Sequence, residues 1–363
     1  MHVGIVGGGQ LGRLLSLAGS SLGIVCTTLD PSGRSSASQV GPSIVGDFDD
    51  RQALALLAQG ADVVTFEFEN VPVTSARFLS GLVPVLPPPE ALEVAQDRVT
   101  EKAVFKEVGL PAAEHRAAGT LEELHAALER IGTPAVLKTR RLGYDGKGQA
   151  VIRDPLLAED AWRSIGEVPA IVERFVEFEH ELSIIAVRAR DGSTAFYPLV
   201  ENHHRHGILR SSVAPAPALT AELQTQAETH VAAVMGRLEY VGVMAIELFQ
   251  VGDELLGNEM APRVHNSGHW TIDGAETGQF ENHLRAVCGM PLGSCSPRGS
   301  SVMVNLIGSL PDPSTVMQVR GAHLHVYGKE PRPGRKLGHV TLTSERGGLP
   351  DLEALAAAGV EIP

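Results

Sequence analysis

The first third of the chain alternates short apolar runs with amphipathic segments. Four runs rich in Val, Ile, Leu and Phe, at residues 3–6, 24–29, 61–68 and 83–86, predict buried strands. The stretches between them, such as residues 13–18, have the spacing of helices. Strands that alternate with helices predict a parallel sheet with helices on its faces.

Three consecutive prolines, Pro87 to Pro89, interrupt this pattern, and the middle of the chain follows them. Helices are predicted at residues 96–108 and from Thr120 to Arg130, where Glu123 is placed for a capping box. The sequence then becomes rich in strands. The predicted strands lie at 171–175, 181–190, 194–201, 240–250 and 254–263, with a long helix at 220–238.

A shorter segment follows Pro291 and contains predicted strands near residues 302–307, 322–326 and 338–342. A chain of 363 residues is long enough for two or three domains. We therefore predict an α/β protein with three parts. They are an N-terminal parallel α/β domain (1–96), a central domain (97–290) and a small β-rich C-terminal domain (291–363).

The predicted hairpin in the central domain carries one glutamate on each strand. If its loop contains three residues, Glu247 lies directly opposite Glu259. Facing carboxylates repel, so a cation is expected between them, and Mg²⁺ carrying substrate phosphates suits oxygen ligands. The alternative is a two-residue turn, which pairs Glu247 with Asn258 and leaves two unrelated surface carboxylates.

A glycine-rich loop joins two other strands near residue 145. Gly143, Gly146 and Gly148 permit positive φ angles and a close backbone approach, so the loop is suited to present N–H groups to phosphate oxygens. Lys138 and Lys147 add positive charge beside it. The strand–GxxxxGK[ST]–helix pattern of a Walker A loop is absent from the sequence. The alternative is an exposed hairpin with solvated lysines.

A second glycine pattern follows the first predicted strand. Gly7, Gly9 and Gly12 match GxGxxG, and Asp30 follows the next strand at about the spacing of a ribose-binding acid. This pattern is typical of a dinucleotide site. A less specific interpretation is a helix N-terminus that binds another anion, such as a substrate phosphate.

Composition excludes several classes of protein. The formal net charge of −13 argues against non-specific binding of nucleic acid. No long apolar run or basic amphipathic helix indicates a membrane protein. Cys26, Cys288 and Cys295 are odd in number and lack CxxC spacing, so we expect reduced thiols in a cytoplasmic protein. The first strand begins at the N-terminus, and no signal peptide is expected.

Five stretches of sequence, taken together and in this order, resemble the ATP-grasp superfamily. They lie at residues 7–13, 66–71, 143–149, 259–269 and 334–339. More narrowly, the chain looks like the 5-(carboxyamino)imidazole ribonucleotide synthetases, the ATP-dependent carboxylases of purine biosynthesis. The resemblance implies an ATP-grasp fold, with a Rossmann-like N-terminal domain, central ATP-grasp lobes and a small C-terminal domain.

The resemblance also implies an ATP site between two lobes, with Mg²⁺ or Mn²⁺ held by Glu247 and Glu259. Glu181 would hold the ribose hydroxyls, and Glu173 would lie on the strand near the adenine. The residues implied for nucleotide binding are Arg98, Lys138, Gly143, Tyr144, Asp145, Gly146, Lys147, Gly148, Gln149, Glu173, Glu181, His204, Asn258 and Glu259.

In such a carboxylase, bicarbonate attacks the γ-phosphate of ATP to give carboxyphosphate, a step that needs dense positive charge. Arg263, His265 and Asn266 are expected to bind bicarbonate, because a planar guanidinium fork fits a planar anion. Asp145 is a further catalytic candidate that would contact the ribose or the amine of the acceptor. The acceptor, an aminoimidazole ribonucleotide, would be bound by Gln10, Leu11, Glu67, Lys329, Arg335 and Lys336.

Two other classes of function stay open at this point. One is a formate-dependent glycinamide ribonucleotide transformylase of the same superfamily, which the Gln10–Leu11 stretch and the Arg263 to Asn266 order disfavour. The other is a nicotinamide dinucleotide-dependent oxidoreductase or a non-catalytic nucleotide sensor. An oxidoreductase needs neither the second glycine-rich loop nor the paired glutamates. The expected partners are small-molecule substrates and a second copy of the chain in a homodimer, without nucleic acid or membrane.

Overall fold

The computed structural model of the protein describes residues 1–143, 146–217, 219–344, 348 and 350–362. The strands are β1 (His2–Val6), β2 (Val25–Asp30), β3 (Ser43–Val45), β4 (Val63–Phe66), β5 (His115–Ala118), β6 (Ala135–Thr139), β7 (Gln149–Ile152), β8 (Ala170–Arg174), β9 (His180–Arg188), β10 (Thr194–Phe196), β11 (Val200–Arg205), β12 (Ile208–Ala214), β13 (Gly242–Val251), β14 (Glu254–Ala261), β15 (Ser300–Ile307), β16 (Ala322–Val326) and β17 (Lys336–Ser344). The helices are α1 (Gln10–Ser21), α2 (Arg51–Gln59), α3 (Val73–Ser80), α4 (Pro89–Ala95), α5 (Arg98–Glu107), α6 (Leu121–Ile131), α7 (Ala158–Ser164), α8 (Ala221–Arg237), α9 (Thr271–Gly274), α10 (Gln279–Val287), α11 (Pro313–Val316) and α12 (Leu352–Ala357).

The N-terminal sheet is parallel, as predicted, with the strand order β3-β2-β1-β4. Helices cover it because its strands are apolar on both faces, and Val6, Leu54 and Phe66 share one core there. The predicted strand at 83–86 is wrong, since Val85 forms only an isolated bridge with Val64. Pro84 lies within this stretch and Pro87 follows it, and a proline has no N–H to donate to a ladder.

The four-stranded sheet β5-β8-β6-β7 forms a small antiparallel layer with α6 and α7 packed on it. Thr120 caps α6 as predicted, because its side chain accepts from the N–H of Glu123 at 3.2 Å. The carboxylate of Glu123 accepts from the N–H of Gly119 at 2.6 Å, one residue earlier than in a standard capping box. This layer carries Lys138 at its centre and the glycine-rich loop at its edge.

The largest sheet runs in the order β14-β13-β9-β11-β12-β15-β17-β16, with β10 paired to β9. The predicted strand at 194–201 is two strands, β10 and β11, separated by Tyr197, Pro198 and Leu199. The C-terminal strands join the central ones, because β12 pairs with β15 from Ser211 to Ala214. The expected small C-terminal domain is therefore continuous with the central sheet. Within the described ranges, no helix combines the length and the apolarity needed to cross a membrane.

The hairpin β13–β14 has a different turn from the predicted one, yet it pairs the same two glutamates. The turn has two residues, since Val251 pairs with Glu254, so the predicted three-residue loop is wrong. A regular ladder from this turn would place Glu247 opposite Asn258. A β-bulge intervenes, because Leu248 pairs with Gly257 and Glu247 pairs with Glu259. The bulge thus restores the facing glutamates.

Helix α5 lies against the outer edge of β14, and a glycine permits the contact. A Cβ atom on Gly257 would lie 2.9 Å from the ring of Phe105 and 2.9 Å from Leu110. Both of these side chains are buried in the same core. A residue larger than glycine at this position would therefore push α5 away from the strand.

We expect Gly257→Ala to lower the free energy of unfolding by about 1–3 kcal/mol, because the added methyl overpacks this contact. Gly236→Ala in α8 is the matched control, since a Cβ there meets no atom within 4 Å. The control should be neutral or more stable by about 0.4–1 kcal/mol, because alanine restricts the unfolded chain. Urea unfolding of both variants tests this, and equal effects would contradict it.

Candidate active site

Most of the residues proposed from the sequence converge on one cleft of about 680 Å³ between the N-terminal domain, the small sheet and the large sheet. The proposed residues that line it are Gln10, Leu11, Glu67, Arg98, Lys138, Gly143, Gly146, Lys147, Gln149, Glu173, Glu181, His204, Glu247, Asn258, Glu259, Arg263, His265, Asn266 and Lys336. They come from all three predicted parts of the chain.

Tyr144 and Asp145 lie outside the described residues, and three of the described candidates do not line this cleft. Gly148 has a φ of +71°, and a Cβ atom there would lie 2.7 Å from the hydroxyl of Thr139, so glycine permits this close contact. Lys329 stands next to the wall, where its ammonium donates to Gln10. Arg335 donates to the carbonyl of Glu330 at 3.1 Å.

The facing glutamates Glu247 and Glu259 differ in their charge state. Burial and the charge of Glu259 raise the pKa of Glu247 to about 7. Burial disfavours ionisation of Glu259 too, but Arg98 at 2.7 Å outweighs it and the pKa of Glu259 falls to about 2. His265 lies 3.5 Å from the Glu247 carboxylate.

This arrangement fits a divalent cation that carries oxygen ligands, because a cation would relieve the repulsion that raises the pKa of Glu247. Among the described residues, no group of three or more His, Cys, Asp or Glu side chains is arranged to hold a metal by itself. The remaining ligands would therefore be phosphate oxygens and water. That is the usual coordination of Mg²⁺ in nucleotide sites.

A buried network of opposite charges lies next to the glutamates. The ammonium of Lys138 contacts Glu173 at 2.8 Å and the amide oxygen of Asn258 at 3.1 Å. Lys102 lies 3.7 Å from the other oxygen of Glu173. Burial opposes ionisation of Glu173, yet the two lysines lower its pKa to about 2. Glu173 is therefore a fixed anion that orients Lys138 toward the cleft.

Sequence reasoning missed Lys102, which is 1% exposed. Lys102 follows Arg98 by four residues on the helix predicted at 96–108, and this spacing puts both side chains on one face. Two cationic residues on the buried face of one helix were the available signal for Lys102.

Arg263, His265 and Asn266, which the sequence proposed as an anion site, line the same cleft. The guanidinium of Arg263 donates to Glu69, an acid that sequence reasoning did not assign. Burial and the charge of Arg263 lower the pKa of His265 to about 3, so its imidazole is neutral. Both polar atoms of the Asn266 amide are buried without a hydrogen-bond partner among the described residues. This amide is therefore free to bind a ligand.

The first glycine loop is occupied by side chains of the protein itself. Glu67 accepts from the N–H groups of Gly9 at 2.7 Å and Gly12 at 3.0 Å. Asp30 accepts from the N–H of Gly8 at 2.9 Å. A carboxylate therefore takes up the N–H groups of Gly9 and Gly12 and leaves those of Gln10 and Leu11, and Asp30 is engaged away from any ribose. These contacts contradict a dinucleotide site.

The opposite end of the cleft is apolar. Phe178 and Phe249 stack with ring centroids 4.6 Å apart and an interplanar angle of 9°. Val136, Val151 and Phe175 also line this end. A stacked aromatic pair beside aliphatic walls suits a planar base. Sequence reasoning did not find these residues, because isolated apolar positions on strands carry no signal of a ligand.

Glu181 and His204 lie between the apolar end and the glutamates, and they form an ion pair. Burial disfavours protonation of His204, but the hydrogen bond to Glu181 and the charge of Glu247 raise its pKa above the ordinary value. The cleft therefore changes along its length from apolar, through this polar pair, to densely charged.

Family comparisons cover nearly the whole chain. Residues 1–96 match the ribonucleotide synthetase preATP-grasp domain, residues 103–280 the ATP-grasp domain, and residues 301–348 the phosphoribosylaminoimidazole carboxylase C-terminal domain. The N5-carboxyaminoimidazole ribonucleotide synthase of Pseudomonas aeruginosa is 52% identical over 94% of this chain and 94% of its own length. The chain belongs to the N5-carboxyaminoimidazole ribonucleotide synthase family.

Solved structures of this synthase family have the same fold. The crystal structure of N5-carboxyaminoimidazole ribonucleotide synthetase from Thermus thermophilus has a TM-score of 0.92 and 54% identity, and covers 98% of this chain and 96% of its own. The synthase from Aspergillus clavatus, solved with ADP and 5-aminoimidazole ribonucleotide, has a TM-score of 0.90 and 30% identity, and covers 98% and 96%. The ATP-grasp fold predicted from the sequence is confirmed.

We expect no binding of NADH or NADPH to this synthase family member, because Glu67 and Asp30 occupy the amides that a pyrophosphate would need. Titration with reduced nicotinamide, followed by its fluorescence, should show no saturable signal at millimolar concentration. ADP in the presence of Mg²⁺ is the positive control. Saturable binding of NADH in the micromolar range would contradict the assignment of the first glycine loop.

Proposed function

We propose that the protein carboxylates 5-aminoimidazole ribonucleotide with ATP and bicarbonate, through carboxyphosphate, to give the 5-carboxyamino derivative in purine (IMP) biosynthesis. One observation carries the proposal. From one end to the other, a single cleft contains an apolar region, the two facing glutamates, and the group of Arg263, His265 and Asn266 with its unsatisfied amide. This order matches a base, a metal-bound phosphate chain and a small anion. Complexes of the Aspergillus clavatus relative with ADP and the acceptor support it.

The nucleotide would enter with its base at the Phe178–Phe249 end and its ribose at Glu181 and His204. Arg98 and Lys138 would then contact the phosphates, with the backbone of the glycine-rich loop above them. The carboxylates beside the two cations support this direction. Glu173 and Glu259 balance the charges of Lys138 and Arg98, so these side chains are held in place before the nucleotide binds.

Glu247 and Glu259 would hold Mg²⁺, for which Mn²⁺ can substitute. When bound, the metal would neutralise charge on the phosphate oxygens. The protein supplies the facing carboxylates and keeps Glu259 ionised through Arg98. Glu247 is the carboxylate that must lose its proton before a cation binds, because its pKa is raised to about 7.

Bicarbonate would be bound by Arg263 and Asn266, next to the neutral imidazole of His265. Glu69 accepts from Nε of Arg263 and the Val264 carbonyl accepts from Nη1 at 3.0 Å, so the guanidinium plane is fixed and Nη2 is left to face an anion. The unpaired amide of Asn266 supplies both a donor and an acceptor to a species that carries a hydroxyl and two oxygens. The low pKa of His265 supports a role as a hydrogen-bonding group that does not carry charge.

The acceptor would place its phosphate at the start of α1. The first N–H groups of a helix have no acceptor within it, and Glu67 satisfies only those of Gly9 and Gly12. The backbone of Gln10 and Leu11 therefore points at the cleft, where Lys329 and Lys336 add positive charge. Glu67 would contact the acceptor's ribose or amine.

The protein would act as a cytoplasmic homodimer. Its three cysteines, Cys26, Cys288 and Cys295, are buried free thiols, which is consistent with a reducing compartment.

Release of phosphate from ATP tests the proposal. We expect release to require bicarbonate and to rise strongly when 5-aminoimidazole ribonucleotide is added. The same assay with formate and glycinamide ribonucleotide tests the transformylase, which is expected to show no stimulation. Stimulation by formate alone, or a rate independent of the ribonucleotide, would contradict the proposal.

We expect Glu259→Gln to lower ATP turnover by about 10²–10³-fold, because a carboxylate that faces developing phosphate charge through a metal is lost. Its control is Glu254→Gln, the same change at an exposed position of the same strand. The control should keep turnover near that of the wild type. Circular dichroism must show both variants folded, and full activity of Glu259→Gln would remove this residue from the metal site.

The affinity for the acceptor should depend on pH through Lys329. Burial lowers the pKa of Lys329 to about 8, so its ammonium is charged below this pH and neutral above it. We expect kcat/KM for the ribonucleotide to fall by roughly tenfold between pH 8 and 9.5, while KM for ATP changes little.

Lys329→Arg separates this effect from other titrations. Arginine stays charged over the whole range, so the decline above pH 8 should disappear in this variant. Steady-state kinetics across the pH range, with each substrate varied in turn, provides the measurement. An unchanged decline in the arginine variant would assign it to another group.

A further inference from the structure

Helix α5 presents three charged side chains to the outer edge of β14. Arg98, Glu101 and Lys102 share one helix face, since they lie at positions i, i+3 and i+4. Arg98 contacts the side chain of Glu259, whereas the other two contact the backbone of the strand. Glu101 accepts from the N–H of Met260 at 2.6 Å. Lys102 donates to the carbonyls of Gly257 at 2.9 Å and Asn258 at 2.6 Å.

The two contacts of Lys102 are specific to the bulge. In a regular antiparallel strand, the carbonyls of adjacent residues point to opposite sides. One ammonium reaches both Gly257 and Asn258 here because the bulge turns the carbonyl of Asn258 outward. In the regular ladder of a two-residue turn, that carbonyl would face β13, and Lys102 would lose one of its partners.

Asn258 is fixed at both of its polar ends. Its backbone oxygen accepts from Lys102, and its side-chain oxygen accepts from Lys138. Glu173 joins these two lysines, at 3.7 Å from Lys102 and 2.8 Å from Lys138. Lys102, Glu173 and Lys138 therefore form a closed ring of contacts with Asn258, which is the extra residue of the bulge.

We propose that Glu101 and Lys102 are positioning residues that hold the bulge of β14 and so keep Glu259 opposite Glu247. Both are 1% exposed, and burial of an ammonium and a carboxylate is costly unless their hydrogen bonds are satisfied. Neither side chain lines the cleft described above, and Glu101 lines only a smaller cavity of about 60 Å³ that adjoins it at Glu247 and Glu259. Their contribution to the reaction is the register of the strand, and this inference rests on the proposed function in treating the two glutamates as a cation site.

A series at Glu101 tests the backbone contact with the least disturbance. Glu101→Gln keeps an oxygen that accepts from the N–H of Met260, and Glu101→Met has a similar length without an acceptor. We expect Glu101→Met to weaken binding of Mn²⁺ in the presence of saturating ADP by at least tenfold. Glu101→Gln should stay within threefold of the wild type. Electron paramagnetic resonance of free Mn²⁺ measures both without requiring turnover.

Lys102→Met is the second variant, and Lys106→Met is its control on an exposed position of the same helix. Hydrogen exchange of peptides that span residues 254–261 reports the register directly. We expect at least tenfold faster exchange in this segment for Lys102→Met and none of this change for Lys106→Met. The exchange measurement uses the free protein, so it judges the inference even if the chain fails to carboxylate the ribonucleotide.

Three outcomes would overturn the proposal. One is equal Mn²⁺ affinity in Glu101→Gln and Glu101→Met, because the charge and not the backbone contact would then matter. Another is wild-type exchange in residues 254–261 of Lys102→Met. The third is a loss of thermal stability in Glu101→Met or Lys102→Met with no change in Mn²⁺ affinity, which is the result expected of residues that only cover a sheet edge. Failure of the wild type to bind Mn²⁺ with ADP would instead contradict the proposed function.

Discussion

The active-site geometry depends on one irregularity in a strand, the bulge that places Glu259 opposite Glu247. Two carboxylates in this position repel; Arg98 pairs with Glu259, and burial and the charge of Glu259 raise the pKa of Glu247 to about 7. The same bulge turns Asn258 toward Lys138, which in turn is held by Glu173. The positions of the two carboxylates and of Lys138, the cation proposed to bind phosphate, therefore depend on the same few backbone angles.

The hairpin also shows how far the sequence predicts the site. The facing glutamates were expected from apolar alternation and a three-residue loop, yet the turn has two residues. The expected pairing is present only because of the bulge, which is held from outside the hairpin by side chains about 155 residues earlier in the chain. A local pattern does not contain such a contact. Two other differences have a local cause. The strand β3 was not predicted, because three residues are too few to show periodicity. The strand predicted at 83–86 is absent, because two prolines interrupt its pattern.

Charged residues were easier to locate than apolar ones. Arg263, His265 and Asn266, which the sequence proposed because such a motif is unusual for a surface, line one cleft with Glu247. Phe178 and Phe249 were not found, since apolar residues on strands are usually part of a core. The first glycine loop had two interpretations, and the carboxylate of Glu67 decides between them. That residue lies in another part of the sheet, so the glycine spacing alone does not reveal whether its amides are available.

The continuity of the large sheet has a mechanical consequence. Lys336, at the start of β17, is connected to the glutamates of β13 and β14 through an unbroken series of hydrogen-bonded strands. The small sheet β5-β8-β6-β7 carries Lys138 and the glycine-rich loop but is hydrogen-bonded as a separate sheet. A movement of the small sheet relative to the large one would therefore displace Lys138 while the distance from Lys336 to the two glutamates stays constant. Under the proposed function, the acceptor would keep a fixed distance from the metal site while the cover of the nucleotide opens and closes.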